Sequence, residues 1–147
     1  MTSSLPAPTP GLVIRYSYLW QAERLQGREE GRKDRPCAIV VSLLTGESAA
    51  RVVVFPITHT APKQPDHALE IPSSTKRRLG LDDERSWVIL TEANIFSWPG
   101  PDLRPAVNGD LSTVAYGLLP DALFNQILDR FVRAVRTRRL GAVPRTE

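Results

Sequence analysis

From Leu12 to Trp20 the chain alternates. Leu12, Ile14, Tyr16, Tyr18 and Trp20 fall on one face, and Val13, Arg15, Ser17 and Leu19 on the other. That period of two predicts a strand. The next segment, QAERLQGREEGRKDR, has Gly27 and Gly31 but few apolar side chains, and it predicts a long functional or mobile loop. The runs CAIVVSLL and RVVVFPIT are short, β-branched and apolar, as central strands buried on both faces are. The TGES turn between them predicts an antiparallel hairpin, with Pro56 near a strand end or edge.

Further along, HALEIP predicts a brief strand. SSTKRRLGL reads as one helical turn, capped by Ser73 or Ser74 and closed by Gly80. SWVILTEANIF predicts one strand or two, interrupted near Asn94, and SWPGPDLRP a rigid loop. Beyond Pro120 the period changes. Phe124, Ile127, Leu128, Phe131, Val132 and Val135 form a single apolar stripe at helical spacing, which predicts a helix over 120–140 stopped by Gly141. The expected class is mainly β with α (α+β), a strongly curved antiparallel sheet or barrel with the C-terminal amphipathic helix packed on it. The expected organisation is a disordered arm over 1–10, one domain over 11–141 and a flexible tail over 142–147.

Composition changes this picture little. With 41% apolar and 24% charged residues, the 147-residue chain suits one soluble domain. No run of about 18 apolar residues suggests a membrane span. The N-terminus has neither the basic start nor the apolar core of a signal peptide, so a cytoplasmic protein is expected. The lone Cys37 lies in an apolar run and reads as a small buried hydrophobe. Charge is more informative. Residues 130–147 carry six arginines against one acid, a local +5 that leaves −2 for the rest of the chain. The basic segment suits either a solvated helix end or an acidic or nucleic-acid partner.

The chain has no P-loop, no dinucleotide fingerprint, no nucleophile elbow and no metal-spaced His/Cys cluster, so no cofactor or metal is expected. What stands out is position. A polar loop ends in Lys33, Asp34, Arg35 and Pro36 at the mouth of a buried strand, and the following strand ends in FPITHT. A cation mounted rigidly there would suit an anion site. It could equally pair with Glu30 or Asp34.

The pieces PGLVIRYSYLW, KDRPCAIVVS, VVVFPITHT and LGLDDERSWVILTEANIFSW together resemble the MazF/PemK toxins of bacterial toxin–antitoxin pairs, over about Pro10 to Trp98. The resemblance implies an SH3-like β-barrel, a homodimer, a cognate antitoxin, and metal-independent cleavage of single-stranded RNA. It assigns the catalytic roles to Arg35 and Thr58. Many members carry a late Asp-Trp pair where this chain reads Ser97-Trp98, so the proton carrier is sought in His59 or Glu92. Arg32, Lys33 and Trp98 are the expected RNA contacts. Strand alternation would turn Thr58 and His59 to opposite faces. Trp20 and Trp87 are expected in the core. The competing expectation is a non-catalytic barrel that binds a protein, either poisoning gyrase or acting as a regulator.

Overall fold

The structure, a computed structural model, describes residues 5–28, 31, 33–46 and 49–145. It is an α+β fold. The elements are β1 (Leu12–Tyr16), α1 (Gln21–Leu25), β2 (Arg35–Leu44), β3 (Ala50–Thr58), β4 (Ala68–Glu70), α2 (Ser73–Leu79), β5 (Trp87–Ile89), β6 (Glu92–Trp98), β7 (Ala115–Leu118), α3 (Asp121–Arg136) and β8 (Gly141–Pro144).

The strands form one eight-stranded sheet with the order β4-β5-β3-β2-β1-β7. β3 shares its other edge between two partners, with β6 along Ala50–Val54 and β5 at Ile57 and Thr58. All pairings are antiparallel except β6 with β8. The β2–β3 register shifts between Ile39 and Val41, a bulge that bends and twists the hairpin.

Both faces of the central strands are covered, which explains their unbroken apolar runs. Val13, Ala38, Val40, Phe55 and Ile57 pack under α2 and α3, against Leu79, Leu123 and Ile127. Ile14, Cys37, Ile39, Val52 and Val54 face the opposite way, into Tyr16, Tyr18, Phe96 and Trp98. Cys37 is fully buried, and burial pushes its thiol well above the usual range. No helix among the described residues is long and apolar enough to cross a membrane.

Several expectations need correction. β1 ends at Tyr16, and α1 occupies the start of the expected polar loop. The break in 87–98 falls between Ile89 and Glu92, not near Asn94. α2 has Pro72 at its N-cap position with no side-chain cap, although Gly80 does close it in the left-handed region at φ 72°. α3 ends at Arg136 rather than 140, and Val132 and Val135 of its stripe are exposed. Of the arm expected over 1–10, residues 5–10 are described, and Leu5 packs against the Trp98 cluster.

Of the tail expected over 142–147, residues 142–145 are instead built into the fold, and 146–147 lie outside the described residues. β8 runs beside β6, and the Arg145 side chain is 1% exposed. Its guanidinium pairs with Asp102 at 2.9 Å and donates to Tyr16 Oη, the Ser17 carbonyl and Asn94 Oδ1. Asn94 in turn bonds both the N–H and the carbonyl of Leu19. One charged network thus ties the C-terminal strand to the end of β1, to β6 and to the Pro-rich loop.

Candidate functional site

Arg35 opens β2 and Thr58 closes β3. Cys37 pairs with Pro56, and Arg35 and Thr58 each lie two residues beyond that pair, at the same end of the hairpin. The two ends are fixed independently, since Arg35 also pairs with Tyr16 on β1 and Thr58 with Trp87 on β5. Gly31, shortly before β2, packs tightly against the chain beyond β1. Its Cα lies so close to the chain at Tyr18 that a Cβ would collide with the Tyr18 carbonyl.

These strand ends line a cleft of about 480 Å³, together with Trp20, Lys33, His59 and Asp82. A second cleft of about 430 Å³ adjoins it, lined by Tyr18, Ala22, Glu23 and Gln26. Trp20, Lys33 and Arg35 belong to both, so the guanidinium stands where the two clefts meet. It lies over the Trp20 ring, 4.8 Å from the centroid. Its Nε is buried and has no hydrogen-bond partner among the described residues. Of the expected partners, Asp34 is turned to other arginines. Asp34 faces Arg104 at 3.6 Å and Arg15 at 3.9 Å, and Glu30 lies outside the described residues.

His59 lies one residue beyond β3, where strand alternation no longer governs it, and it lines the same cleft as Thr58. Its Nε2 is 2.6 Å from Asp82 and its Nδ1 2.9 Å from Glu84. Asp82 also accepts from the buried Lys76 ammonium at 2.7 Å. Lys76 donates to the Glu84 carbonyl as well, which fixes the 82–84 loop as the cleft wall. The Lys76 hydrogen bond, with His59 adding to it, holds the Asp82 carboxyl below the usual carboxylate range. The ligand-type atoms of His59, Asp82 and Glu84 lie within 4.8 Å of one another, so these three residues could hold a metal ion. As arranged, each imidazole nitrogen already faces a carboxylate.

The other expected residues lie elsewhere. Glu92 lines neither cleft. It accepts from Tyr18 Oη at 3.1 Å and from the Gln21 N–H at 2.9 Å, anchoring α1 to β6, and burial raises its carboxyl above the usual range. Trp98 is 4% exposed and packs against Phe96. It pairs with Ala50 at the opposite end of β3 from Thr58. Eight residue steps of strand separate those ends, about 26 Å, so Trp98 is a core residue away from the cleft. Lys33 is exposed at the rim, and Arg32 lies outside the described residues. Trp87 is buried as expected, whereas Trp20, also expected in the core, lies at the cleft. The sequence carried no signal for Asp82, Glu84 or Lys76, which meet His59 only through the α2–β5 turn.

Comparison with known proteins finds no matching family model and no significant match among curated proteins.

Proposed function

We propose that the chain is a toxin endoribonuclease of the MazF/PemK kind, its bent sheet forming an SH3-like barrel, and that it cleaves single-stranded RNA at the Arg35 cleft without a metal. One observation carries this reading. A guanidinium stacked on Trp20, its Nε without a hydrogen-bond partner among the described residues, stands at the junction of two clefts, one of which Thr58 also lines. A phosphodiester bound there meets the guanidinium from the cleft side, and the flanking nucleotides occupy the clefts on either side. Trp20 offers a face for base stacking.

The chemistry follows from the substrate. The RNA 2′-oxygen attacks the adjacent phosphorus, and the bond from phosphorus to the 5′-oxygen breaks. The products are a 2′,3′-cyclic phosphate and a 5′-hydroxyl. Arg35 stabilises the extra negative charge of the phosphorane with paired donors. Thr58 positions a non-bridging oxygen. His59 takes the proton from the 2′-hydroxyl and is the group at hand to return one to the leaving oxygen. Glu92 has no part in this.

The resemblance further implies a homodimer, and an antitoxin that covers the groove. The reading as a non-catalytic binding barrel has one observation in its favour, that both ring nitrogens of His59 are occupied by carboxylates. Cleavage requires one carboxylate to give way. Expression toxicity combined with RNA end-mapping tests the two readings, and toxicity without new RNA ends selects the binding barrel.

A further inference from the structure

The arginines of segment 130–139 take no part in the Arg35 cleft. Three of them, Arg130, Arg133 and Arg139, line a separate cleft of about 530 Å³ between α3 and the Asp66–His67 turn. Thr91 and Thr137 add hydroxyls to its lining, and Asp66 is its one carboxylate residue among the described residues. Arg130 donates to the Asp66 backbone carbonyl at 2.8 Å, which holds its side chain across the cleft. Arg133 is paired with Asp129 at 2.9 Å. Arg136, Arg138 and Arg139 make no ion pair among the described residues.

The backbone directs this charge. After α3, the N–H groups of Arg138 and Arg139 bond to the carbonyls of Val135 and Ala134. Arg138 lies at φ 54°, in the left-handed region. Glycine is the usual occupant of that helix-end position, and a side chain there is strained. This chain carries an arginine at it and turns the next arginine back into the cleft.

β5 links the two clefts. Ser86, just before it, lines the Arg35 cleft, and Leu90, just after it, lines the arginine cleft. Four residue steps of strand span about 13 Å, a distance that a few nucleotides cover. We infer that the arginine cleft is a second phosphate-binding site, which grips the backbone of the same single-stranded RNA a few nucleotides from Arg35. The inference rests on the RNA reading of the Arg35 cleft. The cleft lining has no Phe, Tyr or Trp and His67 is its one ring, so its arginines add affinity through the phosphates that is largely independent of sequence.

The test uses the full chain and 2′-O-methyl RNA, which cannot be cleaved through the 2′-oxygen. Affinity is measured for a trinucleotide and for a strand of about ten nucleotides, within the range that single-strand grooves cover. The longer strand is expected to bind at least about tenfold tighter. The R133E/R139E double variant should lose that gain and reduce the salt slope by about 1.4, for two contacts at about 0.7 each. It should bind the trinucleotide unchanged, which also reports that the fold is intact. R139Q, the milder variant, should lose part of the gain. Equal affinity for both lengths, or an unchanged slope in R133E/R139E, overturns the second site while leaving the first standing. Failure of both strands to bind overturns both. Displacement of the longer strand by polyglutamate as effectively as by RNA of equal charge would reassign the cleft to an acidic peptide and overturn the inference.

Discussion

The Arg35 guanidinium lies 4.8 Å from the centroid of the Trp20 ring, where the two clefts meet. The indole holds the cation in place without neutralising it. A carboxylate would do the first but prevent the second. Trp20→Ala should therefore weaken RNA binding and cleavage by about fivefold, the scale of a cation–π contact of about 1 kcal/mol. Trp20→Phe should retain much of the activity. Single-turnover cleavage of a short RNA measures both.

Arg35→Ala should lower the cleavage rate by at least about 10²–10³, the loss typical of one donor in an oxyanion site. Thr58→Ala should act in the same direction with a smaller effect. Arg35→Lys should not restore activity, because lysine offers a point charge instead of paired donors. The same preparations should melt close to the parent temperature.

The Arg145–Asp102 pair makes a prediction about stability. Breaking a buried ion pair by removing one partner is strongly destabilising, at about 3–5 kcal/mol. Arg145→Ala should therefore lower the unfolding free energy by that order in urea titrations, although the residue lies only two from the end of the sequence. A flexible tail would show no effect.

Strands β1–β6 were legible in the sequence through alternation or short apolar runs, whereas β7 and β8 were not. The hairpin of β2 and β3 and the face of α3 near Ile127 are local patterns. The site was legible in part. Arg35 and Thr58 stand at strand ends that the apolar runs delimit. The role of Trp20 was not legible, since alternation continued past Tyr16 where the strand stops. Nor was the burial of Arg145, whose partners come from positions 16, 17, 94 and 102. A sequence window near the terminus contains none of them.

Glu92 supplies a pH prediction. Burial raises its carboxyl above the ordinary glutamate value of about 4.3. The folded chain therefore keeps this proton at pH values where the unfolded chain has lost it. Its contribution to stability is fully present below the unfolded value and is lost as pH rises through the folded one. Glu92→Gln can still accept from Tyr18 and Gln21, and should flatten that part of the profile without lowering stability at pH 7. Its cleavage rate should match the parent's, because Glu92 lines neither cleft. A large loss of cleavage with the fold intact would return Glu92 to the mechanism.

Arg138 offers a stability gain. Its left-handed backbone at φ 54° carries a strain of about 1 kcal/mol that glycine would not. Arg138→Gly should raise the melting temperature, with thermal unfolding as the measurement. A lower melting temperature would mean that the side chain contributes more to the fold than its backbone strain costs.

The central claim is the use of the RNA 2′-hydroxyl at the Arg35 cleft, and end-group analysis of cleaved RNA tests it most directly. The expected products carry a 2′,3′-cyclic phosphate and a 5′-hydroxyl, form equally in EDTA, and disappear when a 2′-deoxy residue stands at the cut site. Products with a 5′-phosphate, loss of cleavage in EDTA, or equal cutting of single-stranded DNA would contradict it.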